Sequence, residues 1–80
     1  MAGFAVKAID HGSPFSKRLE YSGSNVIYVG EAYPKTLVSD AKWRIYKLTY
    51  SGDNVTEINW ASGNDNFDKV WNSRTSYVYS

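Results

Sequence analysis

Residues 41–60 read AKWRIYKLTYSGDNVTEINW, and the alternation inside this run decides the fold. Over AKWRIYKLTY, Trp43, Ile45, Lys47 and Thr49 fall on one face, while Arg44, Tyr46, Leu48 and Tyr50 fall on the other, the period of a strand. Each face mixes apolar and charged residues, which predicts cover on both sides. The run then meets SGDN and resumes as VTEINWA, where Thr56, Ile58 and Trp60 lie opposite Val55, Glu57 and Asn59. Strand, glycine turn and strand make a hairpin.

The turn has a twin. YSGSNV at 21–26 and YSGDNV at 50–55 differ at one letter, yet IYVGEAYP follows the first and TEINWASG the second. Two copies fall short of the roughly three stacked units that a repeat array needs to bury a continuous core. The likeness is therefore one turn used twice, each a loop of about four residues. Gly23 and Gly52 can take positive φ there, and the Ser, Asp and Asn side chains can bond nearby backbone.

Working outward, Lys17–Tyr21 and NVIYVGEAY form a hairpin around the first turn. Its second strand ends by Tyr33 because Pro34 lacks a backbone donor, and Gly30 is a candidate bulge. GFAVKAI at 3–9 also alternates, HGSPFS at 11–16 is a turn cluster, and 35–40 is a loop. In SGNDNFDKVW, Phe67, Val70 and Trp71 stand at helical spacing behind Asn64 or Asp65 as caps, which predicts one short helix near 65–72. RTSYVYS returns to strand. The expectation is one all-β domain over 1–80: a small antiparallel sandwich or open barrel of about six strands with that one short helix.

Eighty residues bury a modest core, and with no cysteine and one histidine neither disulfides nor a thiolate zinc site can reinforce it. Three Trp, seven Tyr and three Phe must supply the packing, aided by oligomerisation. Nine basic residues against eight acidic ones leave no electrostatic footprint for nucleic acid. No apolar run approaches the roughly 18 residues of a membrane span, and the first residues lack the pattern of a secretory signal. The expected chain is soluble, with no membrane partner.

YVGEAYPKT, AKWRIYKLTY and INWASGNDNFDKVWNSRTSYVYS together resemble the body of a family of short proteins and C-terminal modules encoded by tailed bacteriophages. Its pattern is YVGxAxPGT, WxIxK, WAxGxxxF, WxxR and a terminal SxxYS. Gly30, Trp43, Ile45, Lys47, Trp60, Ala61, Gly63, Phe67, Trp71, Arg74, Tyr79 and Ser80 stand where the pattern puts them, across residues 28 to 80. The first 27 residues carry none of it, and Lys35 replaces a glycine. The resemblance implies a virion structural component of the tail, fibre or head-to-tail region, with no catalytic residues and no cofactor to carry over.

Each candidate site has a plainer reading beside it. Lys42, Arg44 and Lys47 interleave with Trp43 and Tyr46 as a stacking platform for single-stranded nucleic acid would, but a strand splits those cations between two faces. Trp60 and Trp71 beside Asp65 and Asp68 suggest a sugar-stacking surface, although such residues more often serve as core or interface anchors. NDNFD at 64–68 offers oxygens but lacks the spacing of a calcium loop. Asp10 and His11 have no nucleophile beside them, Glu31 and Glu57 have no fixed separation, and Asn54-Val55-Thr56 fits a glycosylation acceptor inside a turn. No catalytic, cofactor or metal residue is assigned. The candidate anchors are Trp43, Tyr46, Trp60, Phe67, Trp71 and Arg74. The expected function is a non-enzymatic virion protein that assembles with itself and a neighbouring tail, fibre, head-tail connector or capsid protein. A carbohydrate-binding receptor module is the second reading and a small nucleic-acid-binding barrel the third.

Overall fold

The computed structural model describes residues 14–80, so the strand candidate at 3–9 and the Asp10-His11 pair lie outside the described residues. Five strands follow in order: β1 (Ser16–Ser22), β2 (Asn25–Ala32), β3 (Ala41–Ser51), β4 (Asn54–Trp60) and the short β5 (Lys69–Val70). They form one antiparallel sheet in the order β1-β2-β3-β4, with β5 pairing the first residues of β3. The all-β expectation holds.

Both hairpins close through two residues, Gly23-Ser24 and Gly52-Asp53, rather than about four, because Ser22 pairs with Asn25 and Ser51 with Asn54. Gly23 and Gly52 sit at φ 63° and 62°, while Ser24 and Asp53 keep negative φ. Positive φ at the first central position alone marks a type II′ turn, whose twist suits a two-residue hairpin. Each turn is followed by the same irregularity: the register shifts between Glu20 and Tyr21 in one hairpin and between Thr49 and Tyr50 in the other. Ile27 and Thr56 are the extra residues. The recurring letters thus encode a turn and a bulge together. Gly30 is not bulged; it pairs in register with Arg18 and Ile45.

Because Gly30 lies opposite Ile45 and Tyr28 opposite Lys47, one sheet face carries Tyr28, Gly30 and Ala32 beside Trp43 and Ile45. With Ala61 and Trp71 these residues make the buried core, where Trp43 is 2% exposed and Trp71 6%. Where a sandwich has a second sheet, the chain's own last ten residues cover this face. Trp71 stacks on Trp43 at 6.1 Å and Tyr79 on Tyr28 at 5.5 Å. The covering segment is tied down by backbone bonds from Asn72 to Val38 and, in both directions, between Trp60 and Ser80. Its end adds only an isolated bridge, Ala61 to Tyr79, instead of the expected strand.

The short helix is displaced from 65–72 to Trp71–Ser76 and is a 3-10 helix. Asn64 does bond local backbone, but its Oδ1 accepts from Asn66 N two residues on, an Asx turn rather than a helix cap. Lys69 and Val70 are then drawn into the ladder with β3. Phe67 and Trp71, read as one helical stripe, end on opposite faces of the sheet.

Between β2 and β3, Thr36 N donates to Tyr33 O at 3.2 Å, closing a turn with Pro34 and Lys35 at its centre. Lys35 holds φ 72°. Proline followed by positive φ is the mark of a type II turn, whose third position favours glycine. Lysine therefore replaces a pattern glycine at a position whose backbone favours glycine. Lys35→Gly is expected to raise stability by about 0.5–1 kcal/mol, the left-handed strain removed outweighing the added freedom of the unfolded chain. Urea unfolding measures it, and a loss of stability would contradict the strained turn.

Candidate interaction surface

The second face of the sheet is built around one carboxylate. Glu31 pairs across the ladder with Lys17 on β1 and Arg44 on β3, so register alone lines up three charges. Lys17 Nζ donates to Glu31 Oε2 at 2.9 Å and Arg44 Nε to Glu31 Oε1 at 2.7 Å. Asp65 lies 4.0 Å from the other end of the guanidinium. Around Arg44 stand three rings, with its Cζ 4.7 Å from the centroid of Phe67, 5.1 Å from Phe15 and 5.8 Å from Trp60. Tyr33 closes the group at 5.0 Å from Phe15 and 5.7 Å from Phe67, and remains 61% exposed. Tyr46 meets Trp60 edge-on at 5.1 Å. A guanidinium among aromatic faces, held by a partly desolvated carboxylate, is a rigid arrangement.

The six candidate anchors divide between the faces. Trp43 and Trp71 are in the core; Tyr46, Trp60 and Phe67 are half-buried on the charged face. Arg74 stays on the core side, its Cζ 4.6 Å above the Trp71 ring and its Nε donating to Glu20 Oε1 at 2.5 Å. The interleaved cations separate: Lys42 is exposed, Arg44 is enclosed on the charged face, and Lys47 lies 5.8 Å over Tyr28 on the core face. Trp60 and Trp71 do not share a surface. Glu31 and Glu57 point to opposite faces, since Glu57 pairs with Thr49 while Glu31 pairs with Arg44. In the 64–68 run, Asn64 Oδ1 accepts from Lys69 Nζ at 2.9 Å, and Lys69, 5% exposed, also pairs with Asp68. A buried ammonium thus uses the oxygens that suggested calcium.

Lys17, Phe15 and Tyr33 escaped the sequence reading, and Glu31 entered it only as half of a carboxylate pair with Glu57. Each becomes visible only once the ladder register is known, because they lie on separate strands or loops. Both oxygens of Glu31 are engaged by cations, so it presents no free base.

Burial raises the Glu31 carboxyl, but hydrogen bonds and charge from Lys17 and Arg44 outweigh burial and hold it below the usual carboxylate range. A depressed folded value means that its contribution to stability is present above the unfolded value and is lost as pH falls through the folded one. Stability is therefore expected to drop on acidification below the usual glutamate range. Glu31→Gln should flatten that part of the profile; an unchanged acid limb in thermal melts would refute the assignment. Burial, joined by the charge of Glu31, pushes the Tyr46 hydroxyl up.

No protein-family model, curated protein or solved structure matches this chain. No described helix is long and apolar enough to cross a membrane.

Proposed function

We propose that this chain is a non-enzymatic structural protein of a tailed-bacteriophage particle, assembling with further copies of itself and with a neighbouring tail, fibre, head-tail connector or capsid protein. The observation that supports this reading is where the residues of the phage-like pattern go. Gly30 receives the Trp71 ring, Trp43 and Ile45 fill the core, Arg74 clamps Glu20 over Trp71, and Tyr79-Ser80 pins the last segment to β4. A pattern used for packing suits a structural subunit, and a small sheet whose β1 edge is unpaired among the described residues suits one that joins neighbours. The carbohydrate-binding reading draws support from one feature, the exposed Tyr33 ring against Phe67, with the mostly exposed Asp65 near the Arg44 guanidinium that Phe67 also meets. Quantitative mass spectrometry of washed particles tests the proposal, with the protein expected in many copies per particle. Abundance in infected-cell lysate without incorporation into particles would sink it, and a host-directed binding role would then replace it.

A further inference from the structure

We propose that two copies of this chain pair edge to edge through β1, antiparallel about a two-fold axis at Leu19, to give one continuous sheet across the dimer. The proposal deepens the structural reading above and rests on its claim of self-association. Among the described residues β1 pairs only with β2, so one side of its seven residues presents unpaired N–H and C=O groups. The opposite margin of the sheet is partly closed by the chain itself, where Trp60 and Ser62 bond Ser80 and Val78.

Symmetry and charge then select the register. A two-fold axis perpendicular to a sheet keeps every side chain on its own face, so opposed residues must share a face and the axis must pass at a residue. Centred on Lys17, Arg18 or Glu20, the pairing would set a charge directly against its own copy, which destabilises. Centred on Leu19, it sets Arg18 against Glu20 of the second copy twice, Lys17 against Tyr21, and Ser16 against Ser22. Arg18 is exposed and makes no side-chain bond among the described residues. Tyr21 is 52% exposed, and the Arg74 bond to Glu20 uses Oε1 alone. β4 offers no complementary charge pair: an axis at Glu57 opposes two carboxylates, one at Thr56 sets Glu57 against Val55, and one at Ile58 sets Glu57 against Asn59.

Sedimentation equilibrium over a concentration series tests this interface, with circular dichroism to verify that each variant is folded. Wild-type chain is expected to dimerise, and Arg18→Glu and Glu20→Arg are each expected to raise the dissociation constant by about tenfold, because both cross-copy pairs become repulsive. An equimolar mixture of the two variants should associate again, since position 18 of one then meets position 20 of the other with opposite sign. That rescue separates the interface from the folding role of the Glu20 bond to Arg74. Leu19→Cys, the chain's only cysteine, should oxidise to a disulfide-linked dimer because directly opposed residues of an antiparallel pair bring their Cα atoms to about 4.5–5.5 Å, within the span of a disulfide. Arg18→Cys should not. A dimer indifferent to Arg18→Glu, or a mixture that restores nothing, overturns the β1 interface and leaves self-association standing. Wild-type chain that stays monomeric at every concentration overturns both.

Discussion

Trp71→Ala is expected to lower stability by about 3–5 kcal/mol, the range for truncating a well-packed aromatic core residue. The ring touches Trp43, fills the space above Gly30 and lies beneath the Arg74 guanidinium, so its loss opens a cavity shared by two strands and the covering segment. For a domain of this size each kcal/mol moves the melting midpoint by roughly 4–8 °C, so the variant is expected to melt tens of degrees early or to be unfolded at room temperature. Trp60→Ala gives the comparison. That ring is half-buried, edge-on to Tyr46 on the charged face, and its loss is expected to cost no more than about 2 kcal/mol. Urea titration of both variants tests the difference. Equal losses, or a larger one at Trp60, would mean that the charged face carries the core.

The sequence made β2, β3 and β4 legible because each rests on local alternation: β3 and β4 follow from residues 41–60, and β2 from NVIYVGEA. Register was another matter. Counting back from the type II′ turn without a bulge sets Lys17 against Gly30, whereas the extra residue Ile27 moves it to Glu31. That single step assembles the Lys17–Glu31–Arg44 line, and no local pattern announces it. The same limit explains the displaced helix. Phe67, Val70 and Trp71 satisfy helical spacing, yet the ladder to β3 captures Lys69 and Val70, and the rings leave for opposite faces. Here tertiary pairing overrode a local periodicity only a turn or two long. Of the six anchors, Trp43 and Trp71 are buried in the core while Tyr46, Trp60 and Phe67 are half-buried on the other face, a division that chemistry alone does not indicate. Lys69 shows the converse case: nothing in NDNFDKV marks a buried lysine, because its partners Asn64 and Asp68 are themselves ordinary loop residues.

Gly30→Ala is expected to destabilise although the backbone there takes no left-handed φ and alanine is normally the better residue inside a strand by roughly 0.5–1 kcal/mol. A Cβ at this position would lie 2.5 Å from Trp71 Cε3, 2.8 Å from Trp71 Cζ3 and 3.2 Å from Trp43 Cε3. Neither indole can yield easily. Trp43 Nε1 donates to Leu37 O at 2.9 Å, and Trp71 is held between Trp43 and Arg74. Overpacking of this kind costs about 1–3 kcal/mol, enough to reverse the propensity gain. The cause is specific, so its removal should be too: in a Trp71→Ala background the two closest contacts vanish and only Trp43 Cε3 at 3.2 Å remains, so Gly30→Ala should lose most of its cost. The double-mutant cycle is therefore expected to show a coupling of about 1–3 kcal/mol between positions 30 and 71, the behaviour of residues in direct contact. Additive losses would show instead that Gly30 is required for a reason other than the Trp71 ring. The glycine of the YVGxA stretch and the tryptophan 41 positions later would then no longer be two halves of one packing contact.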